Sequence, residues 1–370
     1  MASLTHLPAS QRAIRQDIDG KLHLVVNSTI PPLPPGFVLV KVCAVAINPS
    51  DHKITSNYPI PGSYVGTDFS GIVVRAAKDV SPDTVKVGDM VSGVSFGFSP
   101  AHREVNGAFA EYVRARASLL LHVPSPSPEK QTISLLEAAT LGIGTATCIL
   151  ALWSRDALGL ACSPSSPLVS EKPDAVLVYG GSTATGTIAL QMLALSGYNP
   201  IATCSPRNFD LARDRGASAV FDYAAPDVAE KIKAHTGGRL KYVLDCISDV
   251  DSVSICYSAI QRPGGRYVSL ELMPGELLGR RRAIRSTFVF AAEGQGEEVV
   301  LGREGYDRPA NSESYELVVK YLAMVQRLLD DRNLKPHPIK KLEDGLQGVI
   351  SGLEIMASGG VSGKKMVALI

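Results

Sequence analysis

Between residues 22 and 115 the chain alternates short apolar or β-branched runs with turn residues. LHLVV (22–26), FVLVKVCAVAI (37–47), FSGIVVRAA (69–77), DMVSGVS (89–95) and AFAEYVRA (108–115) predict strands. PPLPPG (31–36) and VGD (87–89) predict breaks between them. The pattern predicts a small barrel-like β domain. Residues 134–157 predict a helix, and the unpatterned, Ser- and Pro-rich CSPSSPLVSEKP (162–173) predicts a loop between domains. From 174 the period switches. AVLVYG (175–180), NPIATC (199–204), SAVFDY (218–223), LKYVLDC (240–246) and GRYVSL (265–270) predict strands that are apolar on both faces. Helical patterns fill the gaps at about 184–196, 207–215, 226–235 and 250–260, which predicts a doubly wound α/β domain ending near STFVFAA (286–292). A helix at about 312–331, PHPIKKL, a helix at 344–357 and a strand KKMVALI break the alternation. They are expected to return to the first domain, giving divisions at 1–165, 166–300 and 301–370.

Composition narrows the functional classes. The 370 residues carry 37 basic and 36 acidic side chains, a formal net charge of +1, which argues against nucleic-acid or membrane-surface binding as the main role. Six cysteines, at 43, 148, 162, 204, 246 and 256, form no C-x-x-C pair, as expected for thiols in a reducing compartment. The N-terminus has no apolar run of signal-peptide length. The weakly polar stretch 138–154 falls short of the ~20 apolar residues a membrane span needs and is read as a buried helix. A soluble, cytoplasmic protein is expected.

The first candidate site is the turn after the strand AVLVYG. A helix N-terminus with free N–H groups attracts a diphosphate. Here Gly180, Gly181 and Gly186 remain, while Ser182, Thr183, Ala184 and Thr185 replace the usual glycine cluster. The hydroxyls can supplement backbone donors, but a purely structural turn fits as well. At the end of the second strand stand Ser205, Pro206, Arg207 and Asn208, with no acid before Asp210. A hydroxyl, a guanidinium and an amide suit a 2′-phosphate and so favour NADPH. The plainer reading is an N-cap by Ser205 beside an exposed arginine. Tyr223, closing FDY, lies against the ribose-phosphate or adenine, or simply packs.

A β domain, then a doubly wound dinucleotide domain, then a return resembles the medium-chain dehydrogenase/reductase superfamily. VAINPSDHK (45–53) resembles the N-P-x-D element of its zinc-free quinone and enoyl reductases, and VGTDFSGIVV (65–74), KVGDMVSGV (86–94) and GAFAEYV (107–113) resemble its barrel motifs. The implied fold is a GroES-like β-barrel catalytic domain plus a Rossmann cofactor domain. Zinc-dependent relatives place a cysteine where Asn48 stands and Gly-His-Glu where Gly66, Thr67 and Asp68 stand, so no metal site is expected. YGGSTATGTIALQMLALSGYNPIATCSPRNFDLARDRGA (179–217), with FDY, YVLDCI and GGRYVSL, is similar to the fungal trans-acting enoyl reductases. These are free-standing partners of highly reducing polyketide synthases of the lovastatin and polyketide–nonribosomal-peptide hybrid type.

The resemblance implies NADPH-dependent reduction of the α,β double bond of carrier-bound polyketide thioesters. It places Pro49 and Ser50, Asp51, His52 and Lys53 on the nicotinamide side of the cleft, with Lys53 the candidate catalytic side chain. The plain alternatives are a solvated lysine, an Asp51 N-cap and an exposed His52. Thr140, Leu141, Gly142, Ile143, Gly144, Thr145, Ala146 and Thr147 are implied to line an acyl channel, with Thr140 a possible hydroxyl donor. Close helix packing explains the same small residues. Leu270 and Glu271 stand where backbone meets the nicotinamide carboxamide, and Val361 and Ser362 match cofactor-contacting positions. Arg285, Ser286, Thr287, Phe288 and Val289 are a candidate substrate wall. The basic cluster Arg280, Arg281, Arg282 and Arg285 is either a face for an acidic acyl-carrier domain or a solvated patch. The charged flanks of 293–305 disfavour edge pairing, so a monomer is expected. Two rival readings stand: a free-standing NADPH-dependent quinone or alkenal reductase, and a non-catalytic NADPH-binding partner that stabilises the synthase.

Overall fold

The computed structural model describes residues 7–124 and 133–370. It divides into two compact units: Met1–Ile143, Gln295–Ser312 and Pro336–Ile370 form the first, Gly144–Gly294 and Glu313–Lys335 the second. The chain opens in unit 1 with β1 (Gln11–Gln16), β2 (Leu22–Ser28), β3 (Phe37–Ala46), helix α1 (Pro49–Asn57), β4 (Asp68–Ala76), β5 (Met90–Val94), β6 (Tyr112–Arg116), β7 (Leu121–His122) and the short α2 (Leu135–Ala138). Helix α3 (Gly142–Trp153) starts at the division. Unit 2 continues with β8 (Ala175–Tyr179), α4 (Ala184–Leu195), β9 (Asn199–Cys204), α5 (Phe209–Asp214), β10 (Ala219–Asp222), α6 (Val228–His235), β11 (Tyr242–Asp245), α7 (Val250–Ala259), β12 (Gly265–Ser269), α8 (Gly275–Leu278) and β13 (Ile284–Phe288). After a return through unit 1, α9 (Ser312–Asp330) packs in unit 2. Finally β14 (Ile339–Leu342), α10 (Gly345–Ala357) and β15 (Lys365–Leu369) complete unit 1.

Unit 1 is built on a sheet of order β14-β15-β3-β4-β5-β7, with β6 also paired to β3 and a separate β1-β2 ribbon. The last strand, β15, runs antiparallel to β3 and parallel to β14. Its core joins Val38, Val40, Val45, Phe69, Val73, Phe109 and Val113 to Leu346, Val349, Leu353 and Met366 from the final segment. Unit 2 is a six-stranded parallel sheet of order β10-β9-β8-β11-β12-β13, the dinucleotide-binding order in which the crossover reverses beside β8. Leu177, Ile201, Val243 and Tyr267 of the sheet pack against Ile232, Val253 and Cys256 of the helices.

The differences from the sequence reading have physical causes. β1, QRAIRQ, escapes a hydropathy pattern because its ends are buried glutamines. The Gln11 amide donates to Thr29 O (2.8 Å) and accepts from Tyr112 N (2.7 Å); the Gln16 amide donates to Thr55 O (2.9 Å) and accepts from Ile60 N (3.0 Å). The run 108–115 is strand only from Tyr112, because Ala108–Ala110 pair singly with other segments. The predicted helix 134–157 breaks at Thr140–Leu141 into α2 and α3. The expected divisions at 165/166 and 300/301 lie instead at 143/144 and 294/295, and 313–335 rejoins unit 2. Trp153 shows why: its ring stacks on Tyr321 of α9 at 4.3 Å, inside unit 2. The segment 162–173 therefore lies within unit 2, where Leu168 N–H donates to Ser196 O (2.8 Å), rather than between domains. The last strand of the parallel sheet is Ile284–Phe288, not 286–292, and PHPIKKL contains β14. Leu135–Trp153 is long and apolar enough to cross a membrane by length and composition, but 72% of it is buried inside the protein, as in a core helix.

Candidate active site

In unit 1 the N-P-x-D element turns from β3 into α1. Asn48 is the N-cap and Pro49 occupies the first helical position, where its missing N–H costs nothing. Asp51 is not the N-cap that the plainer reading of this residue offered. It is the third helical residue, reaching back so that Oδ2 accepts from Asn48 N–H (2.8 Å). Its other oxygen accepts from the Thr67 hydroxyl (3.0 Å). The Asn48 side-chain amide donates to Thr67 Oγ1 (2.9 Å) and Asp68 Oδ2 (3.0 Å). Asp68 also accepts from Ile143 N–H (2.6 Å) and is ion-paired with Lys365 of β15. All five side chains are buried, Asp68 at 0% exposure and Lys365 at 4%. Burial pushes the Asp51 carboxyl up to about 7, with the neighbouring Asp68 charge adding to the rise and Asn48 N–H opposing it.

A zinc ion does not fit this cluster. The positions hold an amide, a hydroxyl and a carboxylate whose counter-ion is already a lysine ammonium. Among the described residues no group of three or more His, Cys, Asp or Glu is placed to hold a metal.

Beside this network lies a small cleft, lined by Ser50, Asp51, Ile54, Tyr58, Ile60, Tyr64, Val65 and Phe98 among others. Its wall is mostly apolar, and the Ser50 hydroxyl is buried there with no hydrogen-bond partner among the described residues. Lys53 is exposed on the same helix, one turn from Ser50. His52 is half-buried, its Nδ1 3.3 Å from Ser56 Oγ. Thr140 is fully buried and its hydroxyl donates to Glu137 O (2.7 Å), so its proton is already committed. Gly142 is small because a Cβ there would stand 2.4 Å from Asp68 Oδ1. That is the close-packing explanation for this part of the segment. Val361 packs against the unit 1 core, and Ser362 is exposed beside it.

In unit 2 the turn after β8 is shaped by glycine. Gly180 has φ of 81°, and a Cβ on Gly186 would meet Gly180 O at 2.4 Å. Thr183 is the N-cap of α4; its hydroxyl accepts from Gly186 N–H (3.0 Å) and donates to Gly180 O (2.8 Å). It is thus spent on the cap rather than left as an extra phosphate donor. The N–H groups of Ala184 and Thr185 open the helix. At the end of β9, Ser205 does not cap with its side chain; its Oγ lies 3.3 Å from the Tyr223 hydroxyl instead. The Asn208 amide donates to Ser182 Oγ (3.3 Å). Pro206 and Arg207 are exposed alongside, and Tyr223 is 45% exposed. The sequence reading thus finds together, on one rim at the carboxyl ends of the strands, Ser182, Ser205, Asn208 and Tyr223. The helix N–H groups fit the diphosphate of a nicotinamide dinucleotide.

One part of this rim had no sequence signal. Asp245, fully buried at the end of β11, accepts from Ser252 Oγ (2.5 Å), Tyr267 OH (2.7 Å), Ile247 N–H and Ser248 N–H (both 2.9 Å). Burial raises its pKa. It holds Ser248 at φ 58°, and Ser248 Oγ accepts from Leu270 N–H (2.8 Å). The Leu270 donor is therefore engaged within the fold, and Glu271 accepts from Leu272 N–H (3.2 Å). Arg285 pairs with Asp156 (2.5 Å), and the Thr287 hydroxyl donates to Asp156 O. Ser286 and Phe288 are half-buried and Val289 is buried. Within the basic cluster Arg281 is structural, donating to Ile260 O (3.0 Å) and Gln261 O (2.8 Å); Arg280 and Arg282 are exposed.

Comparison with known proteins agrees with this architecture. Residues 34–125 match the alcohol dehydrogenase GroES-like domain, and residues 184–299 the zinc-binding dehydrogenase family. The chain is 61% identical to the trans-enoyl reductase TwmE of Talaromyces wortmannii over 99% of both chains. It is 41% identical to the trans-enoyl reductase poxP of Penicillium oxalicum over 98% of this chain and 94% of that one. An alcohol dehydrogenase superfamily protein from Novosphingobium aromaticivorans shares the fold, with a TM-score of 0.74 at 21% identity over 97% of this chain and 99% of that one. By this kinship and this fold, the chain belongs to the fungal trans-enoyl reductases of the medium-chain dehydrogenase/reductase superfamily, oxidoreductases that act on carbon–carbon double bonds.

Proposed function

We propose that the protein uses NADPH to reduce the α,β double bond of acyl thioesters carried by a highly reducing polyketide synthase or its nonribosomal-peptide hybrid, in the cytoplasm, as a monomer and without zinc. The observation that carries this reading is the apolar cleft of unit 1, with the unpartnered Ser50 hydroxyl in its wall and Lys53 on the same helix. An acyl chain fills such a cleft, and the lone hydroxyl satisfies a carbonyl oxygen.

NADPH, when bound, supplies the hydride for the β-carbon. Ala184 and Thr185 N–H would hold its diphosphate, and Ser205, Arg207 and Tyr223 its 2′-phosphate and adenosine. The remaining work falls to this chain's own side chains. Reduction places negative charge on the thioester oxygen, and the α-carbon then takes a proton. A hydroxyl donor at Ser50 and the Lys53 ammonium stabilise that charge, and Lys53 carries the proton. Asp51 and Asn48 fix the first turn of α1 so that both groups are held in place. Arg280 and Arg282 offer an acidic carrier domain an exposed basic face.

The test mixes purified protein, NADPH and unsaturated acyl thioesters, and follows the loss of nicotinamide absorbance. Crotonyl thioester turnover well above that of simple quinones is expected. Faster quinone turnover would favour a free-standing quinone reductase, and restoration of synthase product by an inactive Lys53→Met variant would favour the non-catalytic role.

A further inference from the structure

The segment Gln295–Ser312 leaves the parallel sheet and packs on unit 1. It is a built turn, closed by paired backbone hydrogen bonds between Val299 and Arg308 (2.9 Å each). The Asp307 carboxylate accepts the N–H groups of Leu301 (2.7 Å) and Gly302 (3.0 Å) inside it. Two anchors tie it down. Glu297 takes a hydrogen bond from His102 (2.8 Å) and another from Arg116 (2.7 Å). Burial alone would lift the Glu297 carboxyl, but its interactions with His102 and Arg116 outweigh it and hold it below the usual range. Ser99 Oγ donates to Glu298 O (3.4 Å) and Arg103 to Val300 O (3.1 Å).

The segment reaches the cleft lining at its far end. Ser99 directly follows Phe98, which lines the cleft. The far end of the segment reaches Tyr58, which also lines the cleft: the Tyr306 ring sits 5.3 Å from it, tilted by 48°, and the Arg303 guanidinium lies 5.5 Å from its centroid. Tyr306 itself is 8% exposed. The segment therefore touches the cleft lining directly at Tyr58 and is tied to the residue that follows Phe98.

We infer that this segment is a specificity brace: Tyr306 is a positioning residue that fixes the Tyr58 ring and so sets which acyl chain lengths the cleft accepts. The inference rests on the cleft holding the acyl group, as proposed above. An apolar pocket whose wall shifts by one side chain discriminates by methylene count, about tenfold or more per step. Removing the brace frees the Tyr58 ring, which costs short chains their packing and admits longer or branched ones.

The experiment measures kcat and KM for NADPH-dependent reduction of N-acetylcysteamine thioesters of 2-butenoic, 2-octenoic and 2-dodecenoic acids. In Tyr306→Ala, the ratio of kcat/KM for the longest to that for the shortest thioester is expected to rise about tenfold. The change should sit in KM, with KM for NADPH within twofold of wild type. Tyr306→Phe, which keeps the ring, should keep the wild-type ratio. Glu297→Gln, which loosens the anchor without opening the core, should move the ratio the same way, and serves if the alanine variant does not fold. An equal fall of kcat/KM at every chain length, or an unchanged ratio in both Tyr306→Ala and Glu297→Gln, overturns the brace while leaving the enoyl reductase reading intact. A wild-type protein that reduces none of the thioesters overturns both.

Discussion

Replacing Lys365 with methionine should be among the most damaging single changes in unit 1. The methionine stem fills nearly the same volume, so little cavity forms and the effect is electrostatic. Asp68, at 0% exposure, would keep only Ile143 N–H (2.6 Å) and the Asn48 amide (3.0 Å) and lose its counter-ion. Breaking a buried pair from one side costs about 3–5 kcal/mol, because a charge is left without compensation. Adding Asp68→Asn should recover at least half of the loss. The remainder reflects two amide NH₂ groups then facing each other, from residues 48 and 68. The assay must look at unit 1 itself. The single tryptophan, Trp153, stacks on Tyr321 in unit 2, so fluorescence reports the wrong place. Hydrogen exchange at amides of β15 and β3 reads the right one: about 3–5 kcal/mol lowers protection by roughly two to three and a half decades. A loss of less than one decade in the single variant, or a double variant worse than the single, would refute the reasoning.

Three further outcomes are expected. Arg207→Ala should weaken NADPH roughly 10–100-fold, the worth of one charge-assisted hydrogen bond, and leave NADH unchanged; equilibrium titration of both coenzymes decides it. Lys53→Met should lower kcat for enoyl thioesters by about 10²–10⁴ with the NADPH dissociation constant within twofold. Asp51, lifted by burial to about 7 from an unfolded value near 3.9, favours its neutral form in the folded protein. That stability is complete below about pH 4 and is lost as pH rises to about 7. Wild type minus Asp51→Asn should therefore fall by ~2–4 kcal/mol between pH 4 and 8 in urea unfolding, and a flat difference would show that the carboxyl ionises without penalty.

Much of the parallel sheet was legible because its strands, AVLVY and NPIATC among them, are uniformly apolar and separated by clear helices. The glycine positions of the phosphate turn were legible for the same local reason: Gly180 needs positive φ and Gly186 a missing Cβ. Unit 1 was harder, because its closure is non-local. Nothing within QRAIRQ or PHPIKKL signals a strand; buried glutamine amides and pairing across the chain make them so. The polar cluster around Asp68 was half legible. The positions 48, 67 and 68 were singled out by the resemblance, but Lys365 stands 297 residues from Asp68 and carries no motif. Asp245 was hidden likewise, reading as the end of an apolar strand while its four donors come from three segments.

That separation has a consequence for biogenesis. At roughly 5–20 residues per second, the ribosome needs about 15–60 s to travel from codon 68 to codon 365. Throughout that interval β3 has a bare edge where β15 will sit, and a carboxylate awaits its ammonium. Unit 2 has by then left the exit tunnel, apart from any overlap with the last few dozen codons. A chain lacking β15 would be fully translated through its parallel sheet yet unable to seal its own charge.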